Sequence, residues 1–488
     1  MEWQQNILLA IAIIVPIILL RLKRRDLLLC WVCFTFPVQV FDTVPATNLP
    51  ATRIVGLILL PSAILQTRSW LKLKPMKAWM SNFIYLLILG FLFGYLWPWP
   101  DITMSRPFTL AAQGRWLVYS MRLLTDLSLV VFVINQALKP GSMWLAGRAF
   151  VAGSTVSSLT ALFEIATKID LYEIITGLEE QLLTIARARG LAGEPRGLGL
   201  VCVYGIMILL IGRQRLFRGW MIMLVVNLSG LLLTYSASSL VLLGVGIVTA
   251  WVFLSNRLRW MVSGLIVVTA LLVFTSVMFL PQQFEQGADT VQSRLDPERK
   301  LYDIPPGTFG QEIAYRLDVF DSSALLFLMD NPLYAVIGAG PGLVSLPASY
   351  YVPPGIYSII WNPTVGINGL PFHGLLLELS NGGIFGLLLW CVQVHACSIA
   401  LRRVSRSRSN LKPDEADEWE FAYALFLIGA VFYLVQVHSS PIWSVILGIG
   451  CAAVKLTSES KASESFAPAD ARSQYGWQPP GVIYHRER

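Results

Sequence analysis

The chain has 488 residues, of which 55% are apolar and 14% charged, with a formal net charge of +7 at neutral pH. So apolar a composition excludes a disordered chain and an ordinary soluble domain. The positive balance falls in short segments between apolar runs, which makes it a sign of membrane orientation and gives no indication of nucleic acid as a partner.

Apolar segments near the ~20 residues needed to cross a hydrocarbon core recur from end to end. About thirteen spanning helices are predicted, near 5 to 20, 27 to 41, 52 to 66, 82 to 97, 115 to 137, 143 to 167, 198 to 212, 219 to 234, 236 to 255, 260 to 280, 373 to 400, 420 to 437 and 440 to 456. Lys and Arg resist translocation, so the loops that hold them stay in the cytoplasm. Such clusters follow every second span: Arg21, Lys23, Arg24 and Arg25; Arg68, Lys72, Lys74 and Lys77; Lys139; Arg213, Arg215 and Arg218; Arg257 and Arg259; Arg402, Arg403, Arg406, Arg408 and Lys412. This pattern puts the N-terminus outside and the C-terminus inside.

The first run has its basic residues after it and none ahead of it, so it is expected to remain as a span and not to be a cleaved signal peptide. Cys30 and Cys33 form a C-x-x-C pair inside LLLCWVCFTF, where no polar neighbour supports redox or metal chemistry, and burial is the expected role. The other cysteines, Cys202, Cys391, Cys397 and Cys451, also fall in predicted spans, so no disulfide framework is expected. Trp97 and Trp99 fit an interfacial aromatic belt.

Two external loops, near 168 to 197 and 281 to 372, are too long for simple turns. In the larger, EIAYRLDVFDSSALLFLMDNP places Ala314, Leu317, Phe320, Ala324, Phe327 and Leu328 at helical spacing, with Asn331 and Pro332 as the stop. This amphipathic helix is expected on the membrane surface. It is followed by the glycine turn IGAGPG and by an uncharged stretch carrying Tyr334, Tyr350, Tyr351, Tyr357, Trp361 and Phe372, suited to packing at the bilayer surface or to stacking on a sugar ring. Residues 1–456 are thus expected to form one membrane domain, all α-helical, and 457–488 a disordered cytoplasmic tail.

Few residues are fitted for chemistry. Arg187, Arg189 and Arg196 in IARARGLAGEPRGLGL lie outside, against the positive-inside bias. Guanidinium groups beside a glycine-rich turn and a helix start can bind a diphosphate; snorkelling to lipid phosphates or pairing with Glu179, Glu180 and Glu194 is the structural alternative. Arg316 opens the loop helix and is otherwise a solvated or carboxylate-paired charge. His373 stands at the external mouth of a span, where a neutral imidazole can take a proton from a hydroxyl, or can simply be tolerated. Glu378, on the same predicted helix, is an intramembrane carboxylate. No HExxH, metal-ligand cluster, Walker loop or Ser-His-Asp order is present, so metal-independent chemistry without a cofactor is expected.

In order, RGLAGEPRGLGL, LLLTYSASSLVLLGVGIV, YRLDVFDSSALLFLMDNPLYAVIGAGPG and FHGLLLELSNGGIFGLLLW resemble the O-antigen ligase and polymerase family of bacterial envelope enzymes, over about residues 185 to 390. The resemblance implies a polytopic glycosyltransferase of the bacterial inner membrane. Its donor would be an undecaprenyl-diphosphate-linked glycan, its acceptor a glycan, lipid or protein hydroxyl on the periplasmic side, and its other partners membrane lipids. By motif, Arg189, Arg316 and His373 would be catalytic, with Arg187, Arg196, Glu378 and Tyr315 binding substrate. Three positions depart from the family pattern: Ser236-Ala237-Ser238 where Ser-Arg-Gly is frequent, Gly374 where Asn often follows the histidine, and Arg196 where Asn is frequent. Ligase and polymerase use the same donor and bond chemistry. A transporter or flippase of a lipid-linked oligosaccharide is the alternative, with Arg122, Asp126 and Glu164 as its midplane candidates; a structural scaffold is the third reading.

Overall fold

The computed structural model describes residues 2–41, 50–96, 112–177, 188–253, 317, 319–351, 371, 373–407, 412–435 and 440–466. Every regular element among them is helical, and the protein is an all-α polytopic membrane protein. The helices are α1 (Glu2–Arg21), α2 (Arg25–Thr35), α3 (Ala51–Leu65), α4 (Thr67–Trp70), α5 (Lys74–Phe91), α6 (Ala112–Ala137), α7 (Ser142–Thr167), α8 (Leu171–Thr176), α9 (Pro195–Gly212), α10 (Trp220–Leu233), α11 (Ala237–Phe253), α12 (Val319–Asp330), α13 (Pro332–Ile337), α14 (Gly374–Arg406), α15 (Pro413–Val435) and α16 (Ser440–Phe466). Among the described residues eight helices are long and apolar enough to cross a membrane, and Ala51–Leu65, Trp220–Leu233 and Ala237–Val252 are shorter apolar helices.

Local chemistry sets several boundaries. Pro195 and Pro332 occupy first-turn positions of α9 and α13, where the missing N–H costs nothing. The Asp170 carboxylate accepts the Glu173 N–H at 3.0 Å and so caps α8. Helix α9 is buried on all sides, from Leu198 and Leu200 through Ile206 to Leu209, and packs against α7, α10, α11 and α15. A helix apolar all round belongs at the centre of a bundle. By contrast α1 shows Ile7, Ile14 and Ile18 outward, as a lipid-facing helix would. Polar contacts join helices inside the bundle: Asn227 Nδ2 donates to Thr155 Oγ1 at 2.9 Å, and Glu418 accepts the Gly141 and Met143 backbone N–H groups at 2.7 and 2.8 Å.

Twelve of the thirteen predicted spans meet a helix among the described residues, and the one near 260 to 280 lies outside them. The second is shorter than expected: α2 stops at Thr35, with Phe36 still in helical conformation (φ −62°, ψ −49°) and Pro37, which has no N–H to continue the ladder, next in the chain. Helix α16 continues to Phe466, past residue 456, where the last predicted span ends. The loop helix α12 does form and stops before Asn331 and Pro332, and its polar residues turn into the protein. Its Asp321, Ser322, Ser323, Ala324, Leu326, Phe327 and Leu328 are all buried, and it packs against α13, α14 and the 3-10 turn Pro347–Tyr351. Ala324, Phe327 and Leu328 share a small core with Tyr334, Ala339, Val344 and Ala348.

Candidate functional site

His373 is the residue immediately ahead of α14, in extended backbone conformation (φ −83°, ψ 124°). Its backbone N–H donates to Asp321 Oδ1 at 3.0 Å, and its Nδ1 lies 2.8 Å from Asp321 Oδ2, out of line for a straight hydrogen bond. Catalytic hydrogen bonds are often misaligned before substrate arrives. The His373 side chain is 41% exposed, whereas that of Asp321, in the first turn of α12, is fully buried. Thus a buried carboxylate on the loop helix holds the histidine at the mouth of a span.

Beyond His373 the helix is broken. Gly383 has φ 61° and ψ −160°, inside α14. That backbone region is open essentially to glycine alone. The break frees carbonyls that a continuous helix would use, and the glycine turn takes them: Ala339 N–H donates to Ser380 O at 2.8 Å and Gly340 N–H to Asn381 O at 3.0 Å. The Asn381 side chain accepts the Gly342 N–H at 3.0 Å, and Tyr85 Oη donates to Ile337 O. Gly342 has φ +72°, and a Cβ there would collide with the Tyr119 ring. The IGAGPG segment is therefore a docking turn that fills a gap in a membrane helix, as irregular backbone at that depth requires.

Arg189 is 3% exposed. Its Nε donates to Asp170 Oδ2 at 2.8 Å, its Nη2 contacts the same oxygen, and its guanidinium stands over the Tyr172 ring, 4.8 Å from the centroid. Glu164 Oε2 accepts the backbone N–H groups of Arg189 and Gly190 at 3.3 and 3.0 Å. Ala188 N–H donates to Leu233 O at 3.2 Å, which ties this turn to the end of α10. Asp170 and, through the backbone N–H, Glu164 are thus partners of Arg189; Glu179 and Glu180, weighed from sequence, lie outside the described residues. Arg196 is half-buried in the first turn of α9. Arg187, Tyr315 and Arg316 lie outside the described residues.

Glu378 accepts the Tyr433 hydroxyl at 2.6 Å, and the Tyr433 ring packs between Trp390 (5.8 Å) and Trp443 (5.2 Å). This joins the start of α14 to the end of α15. Deeper in the bundle Asp126 on α6 is buried within electrostatic reach of Arg53 on α3 and Arg122, and the Arg122 guanidinium lies 4.6 Å over the Tyr119 ring. The ring that supports Gly342 therefore also carries Arg122. Of the loop aromatics, Tyr334 is buried against Phe93 and Phe327, and Tyr351 packs on Phe327 while its hydroxyl accepts from Asn331 Nδ2 at 3.3 Å. Burial pushes both phenols above their usual pKa. Packing is thus the role of these two, while Tyr350 is exposed; Tyr357, Trp361 and Phe372 lie outside the described residues.

The structure brings His373 to Asp321, Arg189 to Asp170 and Glu378 to Tyr433, each pair on its own set of helices. Sequence reading singled out the first member of each pair and missed the second. Asp321 had one visible signal, a carboxylate within the otherwise uncharged run VFDSSALLFLM. A search of curated proteins finds no match for this chain. Residues 222–391, about a third of the chain, run from α10 into the middle of α14 and take in Asp321, the glycine turn and His373, and this segment is similar to the family described as O-antigen ligase.

Proposed function

We propose that this protein is a membrane glycosyltransferase that takes a glycan from an undecaprenyl-diphosphate carrier and joins it to an acceptor hydroxyl on the periplasmic face of the bacterial inner membrane. The chemistry is O-antigen ligase-like or polymerase-like and needs neither metal nor cofactor. The observation that carries this reading is the half-exposed imidazole of His373, gripped by a buried carboxylate within the stretch matched by the family. His373 takes the proton of the acceptor hydroxyl as the oxygen attacks the anomeric carbon and the sugar–phosphate bond breaks. Arg316, placed by sequence alone, neutralises charge on the departing diphosphate, with Tyr315, Arg187 and Arg196 lining the approach. Arg189 already shares its charge with Asp170, so its part is to hold the 188–194 turn in place. Glu378, engaged by Tyr433, likewise supports the start of α14.

Two observations favour a second reading, a flippase for the lipid-linked glycan: the break in α14 at Gly383 and the charges within the helices, buried Asp126 with half-buried Arg53 and Arg122. Purified protein, incubated in EDTA with lipid-linked glycan extracted from the host and with candidate acceptors, separates the readings. Glycan on a separate acceptor identifies a ligase, and lengthening on the lipid a polymerase. Translocation across reconstituted vesicles without transfer by any acceptor would refute the enzyme reading.

A further inference from the structure

A carboxylate buried away from water is costly unless it is engaged, and one that serves only to anchor a backbone N–H needs a single oxygen. Asp321 turns both oxygens towards one residue 52 positions away: Oδ1 accepts the His373 backbone N–H at 3.0 Å, and Oδ2 stands 2.8 Å from Nδ1, out of line for a straight hydrogen bond. An asparagine would cap the chain equally well through its carbonyl oxygen. What the second carboxylate oxygen adds is control of the ring.

Resting on the transferase reading above, we infer that Asp321 is a positioning residue for His373, holding the neutral imidazole with its proton on Nδ1 so that Nε2 is the nitrogen that accepts the hydroxyl proton. As the acceptor oxygen bonds to the anomeric carbon, its proton moves to Nε2, and the electron pair of the breaking C–O bond leaves with the diphosphate. The imidazolium formed then lies against the Asp321 carboxylate and afterwards gives its proton to solvent. The carboxylate supplies the orientation and the compensating charge.

Asp321→Asn tests the inference because it keeps the shape and the backbone contact. The amide nitrogen, set opposite Nδ1, donates to it and drives the ring proton to Nε2, the nitrogen that must be bare. The expected result is a 10²- to 10⁴-fold loss in kcat for glycan transfer, the range seen when such a pair loses its charge, with KM for the lipid-linked donor within about 3-fold of wild type. A purely structural role would instead leave kcat of the folded variant near wild type. A second readout does not depend on a folded Asp321 variant: nitrogen NMR of protein labelled at histidine, with the His373 signal identified by its absence in His373→Ala. Wild-type protein is expected to show the neutral ring protonated at Nδ1. A wild-type ring protonated at Nε2, or an Asp321→Asn protein with unchanged kcat, overturns the inference. Full transfer by His373→Ala in the same assay is a different result, and removes the transferase reading of this site itself.

Discussion

Gly383→Ala is the perturbation whose cost can be worked most fully from the geometry. Alanine at φ 61°, ψ −160° adopts a region that costs about 1–3 kcal/mol. Its Cβ would also press into the Val336 carbonyl, an overpacking worth about 1–3 kcal/mol more. The chain can escape by closing the helix, but then the Ala339→Ser380 and Gly340→Asn381 hydrogen bonds are lost, at roughly 0.5–1.5 kcal/mol each. Whichever route is cheaper, a loss of about 1–3 kcal/mol follows. Gly386→Ala, one turn on in the same helix, is the control: its Cβ would meet only Asn82 Oδ1 at 3.5 Å and Glu378 O at 3.7 Å. There the gain in helix propensity, about 0.5–1 kcal/mol, should dominate. Thermal unfolding of detergent-purified protein measures both, at roughly 2–4 °C per kcal/mol for a domain of moderate size. The expected pattern is a fall of roughly 2–12 °C for Gly383→Ala and no fall for Gly386→Ala. Equal behaviour of the two variants would refute the docked break in α14.

Arg189→Ala should lower stability by roughly 2–4 kcal/mol, somewhat below the ~3–5 kcal/mol of a fully buried pair because Asp170 keeps part of its hydration. Removing Asp170 as well should recover part of that loss in a double-mutant unfolding cycle, and strict additivity would show that the two residues do not interact. Tyr433→Phe deprives Glu378 of its donor and should cost about 1–3 kcal/mol, whereas Glu378→Gln, which still accepts the phenol proton, should cost less; the reverse ranking in chemical denaturation would contradict the pairing.

Much of the architecture is legible in the sequence because spanning length and apolarity are local properties. The stop of α12 at Asn331 and Pro332 and the turn at Gly338–Gly342 are local in the same way. What sequence did not reveal depends on partners far along the chain. Asp321 lies 52 residues from His373, and Glu378 lies 55 from Tyr433, so neither pairing leaves a mark in spacing. The same holds for the polar side of α12: Asp321, Ser322 and Ser323 look solvent-facing in isolation, yet they turn inward among neighbours that only the tertiary fold supplies. Helical spacing likewise predicts one unbroken helix after His373, since two adjacent glycines in SNGGIF are as compatible with close packing as with a break.

The most direct test of the account is the release of undecaprenyl diphosphate by purified wild-type protein and by His373→Ala, measured with an acceptor and EDTA present. The account expects release by wild type in step with glycan transfer, and none above background from the variant while it remains folded and inserted. Equal release by both proteins would contradict the role of His373, and no release by wild type with any acceptor would contradict transfer itself.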